Sequence, residues 1–121
     1  MGRSEGAGPW GERLAAAVLR RKGYRLREKN FRCRFGEIDL IVENDAYLVF
    51  AEVKLRRDAT HGMGREFVTP VKQERLRKTA ALYLAQNPTE LQPRFDVVEI
   101  LAPRGVLTLR PRVVHLEDAF S

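Results

Sequence analysis

Gly36-Glu37-Ile38-Asp39-Leu40-Ile41-Val42-Glu43-Asn44-Asp45-Ala46-Tyr47-Leu48-Val49-Phe50-Ala51-Glu52-Val53-Lys54 is the stretch from which the rest of the chain is read. Two apolar runs flank an Asn-Asp pair, and these two residue types accept left-handed turn geometry, so the stretch predicts a β-hairpin. Side chains alternate between faces along a strand. Glu37, Asp39 and Ile41 then share a face with Leu48, Phe50, Glu52 and Lys54, while Ile38, Leu40, Val42, Val49, Ala51 and Val53 form an apolar face expected to lie on the core. A turn centred on Asn44-Asp45 pairs Asp39 with Phe50 and Glu37 with Glu52, whereas a shift of one residue pairs Asp39 with Glu52. Either register gathers Asp39, Glu52 and Lys54 at the open end of the hairpin.

Two carboxylates and an ammonium on an otherwise apolar hairpin need a physical reason, because like charges close together across strands repel. A divalent cation supplies one. Mg²⁺ needs only one or two carboxylates, with water and phosphate oxygens completing its shell. Lys54 would then stand where it can position or deprotonate a water, or stabilise charge on a phosphate. A structural ion-pair cluster on a solvated sheet edge explains the same three residues, and for the bare pattern it is the commoner outcome.

A longer ordered set of residues shifts that balance: Gly11-Glu12, Gly23-Tyr24, Asn30-Phe31-Arg32, Gly36 to Ile41, Glu52-Val53-Lys54 with Arg56, Val68-Thr69-Pro70 with Lys72, and Arg94 to Val98. Over roughly residues 9–101 this set resembles the YraN-type uncharacterised protein family, and Asp39 with Glu52-Val53-Lys54 resembles the metal-binding core of the PD-(D/E)XK nuclease-like superfamily, including its Holliday-junction-resolvase-like branch. Ile38 stands where the superfamily's eponymous Pro would be. The resemblance implies a restriction-endonuclease-like core and hydrolysis of phosphodiester bonds in nucleic acid, DNA in the first place. It implies Mg²⁺ or Mn²⁺ on Asp39 and Glu52 with the main-chain carbonyl of Val53, Lys54 handling the water, and Glu12 from the first helix completing the cluster. Two other readings stay open: a nucleic-acid-binding module that keeps the fold without cleaving, and an interaction partner within a DNA-processing assembly. A homodimer is compatible with all three.

A length of 121 residues fits one domain, 1–121, with a single core. No run approaches the roughly 20 apolar residues of a membrane span and the N-terminus lacks an apolar h-region, so a cytoplasmic protein without a membrane partner is expected. Cys33 is the only cysteine, which leaves no internal disulfide and no zinc-ligand spacing. The net charge of +6 favours polyanions, although many small basic proteins bind nothing specific. Arg56, Arg57 and Arg65 lie in or beside an aperiodic stretch after the hairpin and are candidates for phosphate contacts, with a solvated connection as the plainer reading.

Elsewhere the chain reads as an α/β protein, with helices covering a mixed central sheet in the order α-β-β-β-α-β plus a C-terminal strand. Residues 1–8 read as a disordered start. A helix is expected from Pro9, with a core stripe of Trp10, Leu14, Ala17 and Val18, Glu12 at the edge of that stripe, and Gly23 as terminator. The first strand falls within Tyr24–Arg34, with an irregularity around Glu28–Phe31. Thr69 caps a second helix that has Pro70 in its first turn and Leu76, Ala80, Tyr83 and Leu84 on its buried face, and Asn87-Pro88 stops it. Lys72 and Gln73 extend this face toward the hairpin's open end, as a polar site contribution or as snorkelling stems. Arg94–Leu101 reads as a strand buried on both faces, Val106–Leu109 as its hairpin partner, and Val113-Val114 as an added edge.

Overall fold

The computed structural model describes residues 7–57 and 68–121. Two helices and five strands follow one another: α1 (Gly8–Arg21), β1 (Arg25–Cys33), β2 (Gly36–Glu43), β3 (Tyr47–Arg56), α2 (Pro70–Gln86), β4 (Gln92–Leu101) and β5 (Arg112–Phe120). The strands form one sheet in the order β1-β2-β3-β4-β5, antiparallel throughout except for the parallel pair β3 and β4 that α2 connects. This is the mixed α/β arrangement expected from the sequence.

The hairpin takes the shifted register. Leu40 pairs with Ala51 and Val42 with Val49, and the Asn44 side-chain oxygen closes the turn by accepting from the N–H groups of Ala46 and Tyr47. Strand alternation then creates two cores. Leu40, Val42, Val49, Ala51 and Val53 pack under α1 through Ala15 and Leu19, while Ile41, Leu48 and Phe50 pack under α2 through Leu76, Ala80 and Tyr83. The face carrying the acids is thus as apolar near the turn as the other face, and becomes polar only toward the open end. Ile38 departs from the alternation and joins the α2 core with Ile41. Asn30, opposite Asp39 between the pairs Lys29–Leu40 and Phe31–Ile38, has φ 52°, so β1 leaves extended geometry beside this point, while the register of the pair shifts earlier, between Leu26 and Glu28.

Both helices show local chemistry that the sequence encodes. Gly23 sits at φ 98°, Tyr24 N–H donates to Leu19 O and Gly23 N–H to Arg20 O, the pair of hydrogen bonds that terminates a helix on glycine. Thr69 accepts from Lys72 N–H and Pro70 opens α2, as expected. Cys33 is a strand-end residue that accepts from Phe35 N–H and meets Thr79 of α2.

Three expectations need correction. The buried stripe of α1 is Gly11, Glu12, Ala15 and Leu19, one residue round from the stripe of Trp10, Leu14, Ala17 and Val18. Gly11 forces this, since a Cβ there would run into Ala7 Cβ and come within 3.3 Å of Ile100 Cδ1, so the helix presses its smallest residue onto the sheet. The helix also begins at Gly8, with Ala7 buried, so only residues 1–6 of the expected disordered start remain, and they lie outside the described residues. Val106–Leu109 is not a strand: Gly105–Leu107 is a turn of 3-10 helix, and β5 takes the place beside β4 from Arg112 onward. No helix among the described residues is long and apolar enough to cross a membrane.

Candidate functional site

The ladder between β2 and β3 stops at Leu40–Ala51, and beyond it Val53 N–H donates to the Asp39 carboxylate at 2.8 Å. The sheet opens there into a cleft of about 460 Å³ beneath the N-terminus of α2, lined by Gly36, Asp39, Glu52, Thr69, Lys72 and Arg75 among others. Asp39, Glu52 and Lys54 are all buried. Lys54 Nζ stands 3.4 Å from Glu52 Oε2, and Lys72 Nζ from the first turn of α2 reaches the same oxygen at 2.5 Å. One carboxylate oxygen therefore holds two ammonium groups, Lys54 buried and Lys72 half-exposed, with a second carboxylate in the same cleft.

The electrostatics follow from that crowding. Burial, then the neighbouring Glu52 charge, pushes the Asp39 carboxyl up to about 7, with Glu12 and Glu37 adding to the effect and the Val53 N–H opposing it. Burial lowers the Lys54 ammonium from its ordinary value, aided by Lys72 and opposed by Glu52. Lys72 moves the other way: burial works against its charge, but the Glu52 carboxylate outweighs that and holds it protonated. Perturbed groups of opposite sign in one cleft are a common mark of a functional site.

Glu12 reaches this region from the other side of the sheet. It is buried in the first turns of α1, accepts from Asn30 Nδ2 at 3.1 Å, and its charge acts on Asp39. Asn30 is the residue that reading the sequence for site groups missed. Its signal was present, since an Asn within a strand of bulkier residues marks a position able to adopt positive φ.

The remaining candidates divide. Gln73 donates to Val68 O and so ties α2 to the segment before it without touching the carboxylates. Arg56 is turned inward, with Nη1 on Glu99 at 2.8 Å and a side chain 11% exposed. Arg57 is exposed and donates to Pro103 O. Arg65 and His61 lie outside the described residues. Among the described residues no group of three or more His, Cys, Asp or Glu side chains is placed to hold a metal ion.

Comparison with known proteins matches residues 11–100 to the model of an uncharacterised protein family, UPF0102. The chain belongs to the UPF0102 family. A UPF0102 protein of Syntrophomonas wolfei is 46% identical over 114 residues, covering 93% of this chain and 96% of its own length. One from Symbiobacterium thermophilum is 49% identical over 109 residues, covering 88% and 92%, and one from Caldanaerobacter subterraneus is 43% identical over 114 residues, covering 93% of both chains. The matched stretch of this UPF0102 protein contains Glu12, Asn30, Asp39, Glu52, Lys54 and Lys72.

Proposed function

We propose that this UPF0102 protein hydrolyses phosphodiester bonds in nucleic acid, DNA in the first place, with Mg²⁺ or Mn²⁺ as cofactor. The observation that carries the reading is the buried trio of Asp39, Glu52 and Lys54, with the half-exposed Lys72 on Glu52, at a cleft that Asp39, Glu52 and Lys72 line. Desolvating this many charges is costly, and a structural role would be served as well by apolar side chains. The donor set suits a hard cation, because two carboxylates suffice when water and phosphate oxygens supply the rest. Asp39 and Glu52 with the Val53 carbonyl would hold it, and Glu12 would add negative charge behind Asp39.

When bound, the cation supplies charge stabilisation at the phosphate and acidifies a water. The chain's own residues do the remaining work. Lys54, desolvated and lowered, is placed to accept a proton from the attacking water or to donate to a phosphate oxygen. Lys72, with a side chain 37% exposed, can leave Glu52 for a phosphate oxygen, which frees the Glu52 carboxylate when substrate and metal arrive. The net charge of +6 favours the approach of the polyanion.

The test is cleavage of single-stranded, duplex and branched DNA and RNA by the purified chain, with Mg²⁺ or Mn²⁺ and with chelator. Metal-dependent cleavage by wild type and a loss of about 10²-fold or more in Lys54→Ala are expected. A folded wild type that cleaves nothing with either metal sinks the enzyme reading and leaves the binding module. Lys72→Ala separates the two lysines. It removes a competitor from Glu52, so calorimetry should show Mn²⁺ binding tightened about threefold, the scale of a half-exposed ion pair, while cleavage falls.

A further inference from the structure

The loop from β4 to β5 carries an apolar tip that the fold does not use. Val106, Leu107 and Leu109 are 64%, 74% and 96% exposed, and they are three of the five large apolar side chains exposed among the described residues. Exposed apolar side chains gathered in one place mark an interaction surface. This loop is also built. Gly105 is buried at φ 58°, its N–H donates to Ala102 O, Leu107 N–H donates to Arg104 O, Arg104 N–H to Thr108 Oγ1 and Thr108 N–H to Gly105 O. The hydrogen-bonded turn over 102–108 holds Val106 and Leu107 in a defined arrangement, with Leu109 following directly after it, which lowers the ordering cost of binding.

Charge and position select the occupant. Residues 102–112 contain Arg104, Arg110 and Arg112 and no acidic residue, and all three arginines are exposed. The loop leaves the carboxyl end of β4 beside that of β3, with Ala102 N–H on Arg56 O and Arg57 Nη1 on Pro103 O. Glu99 pairs with Lys54, so the loop begins three residues, about 10 Å, beyond the level of Lys54. Apolar tips flanked by arginines are suited to a strand whose bases are unstacked, since the side chains cover base faces while guanidinium groups meet the adjoining phosphates. A second copy of a chain carrying +6 would bring arginine against arginine.

We infer that the 102–112 loop is a wedge that contacts unpaired bases next to the cleft, so that the substrate is a nucleic acid with a junction between paired and unpaired strands. This rests on the nucleic-acid reading above. The experiment is an anisotropy titration in chelator, which blocks cleavage, with a forked DNA and a fully paired duplex of equal phosphate number. Leu107→Ser/Leu109→Ser should bind the fork about tenfold more weakly and the duplex within about twofold of wild type. Arg104→Ala/Arg110→Ala should weaken both substrates alike and flatten the salt dependence. Equal binding of the fork by wild type and the leucine variant, or an equal loss on both substrates, overturns the wedge while leaving the nuclease reading standing. A wild type that sediments as a dimer and a leucine variant that sediments as a monomer would assign the tip to a copy-to-copy interface and overturn it too. No binding of either DNA by wild type removes the functional reading and the wedge with it.

Discussion

Asp39→Asn is expected to abolish cleavage and, in the same protein without metal, to raise stability at pH 8. Both outcomes come from one geometry. The carboxylate is buried, beside Glu52 and within range of Glu12 and Glu37, and its pKa is pushed up from 3.8 to about 7. A carboxyl raised in the fold contributes most favourably below its unfolded value. The advantage is lost as pH rises through the folded value, so above pH 7 wild type carries the full cost of an ionised Asp39. A rise of this size is worth about 4 kcal/mol at most, and because Asp39 and Glu52 share the repulsion, the expected gain in Asp39→Asn is about 2 kcal/mol. Asn keeps an oxygen for the Val53 N–H, so the hairpin stays closed. The difference between variant and wild type should therefore grow from pH 4 to pH 7 and then level off. Added Mn²⁺ should reverse the order, stabilising wild type by offsetting the repulsion and leaving Asp39→Asn unmoved, while cleavage falls by about 10³-fold or more. Thermal melts across pH with and without Mn²⁺, beside a cleavage assay, check this. An Asp39→Asn protein that cleaves as wild type does would remove Asp39 from the site.

How much of this could be read from the chain depends on the range of the interaction. The hairpin, the Thr69 cap, the Pro70 start and the stop at Asn87 were legible because each is decided by residues a few positions apart. The convergence of Asp39, Glu52 and Lys54 was legible for the same reason, and Lys72 followed from the face of α2. The start and stop of α1 were legible too, but its buried face was not, because Ala15, Ala16 and Ala17 make neighbouring faces nearly equal and the close approach of Gly11 to Ile100 is a tertiary contact. Val106–Leu109 misled because an apolar run looks like a strand whether or not it has a partner. The strand that does pair with β4 is broken up by His115, Glu117 and Asp118, and its polar residues make sense only once Asp96 is seen beside them.

Asp96 carries the other large effect, on stability alone. Its side chain is fully enclosed and receives four donors: Arg94 Nε at 2.9 Å and Asp118 N–H at 3.0 Å on Oδ1, Arg94 Nη2 at 2.8 Å and His115 Nε2 at 2.6 Å on Oδ2. With Nε2 donating, His115 Nδ1 accepts from Lys22 at 2.8 Å, and Arg94 also reaches Tyr24 OH, so this carboxylate ties β4 to β5 and to the end of α1. Burial alone would raise its pKa, but the His115, Arg94 and Asp118 hydrogen bonds outweigh burial and hold it below 3.8. A depressed carboxyl stabilises the fold fully above its unfolded value and loses that contribution as pH falls through the folded one. The Asp96 contribution should thus be constant near pH 7 and be lost below about pH 4, apart from the separate drift that Asp39 causes between pH 4 and pH 7. In Asp96→Asn either flip of the amide turns an NH₂ group toward two donors and leaves the enclosed Arg94 without a counter-charge. That mechanism costs about 3 to 5 kcal/mol. Urea unfolding at pH 7 should show this loss, and in the variant the acid-dependent decline should be shallower by the Asp96 contribution. The cleft is built from other residues, so molecules of Asp96→Asn that remain folded should bind Mn²⁺ as wild type does. A cost under about 1 kcal/mol would mean that the network is dispensable and that β5 is held by its ladder and by the stacking of Phe120 on Phe95.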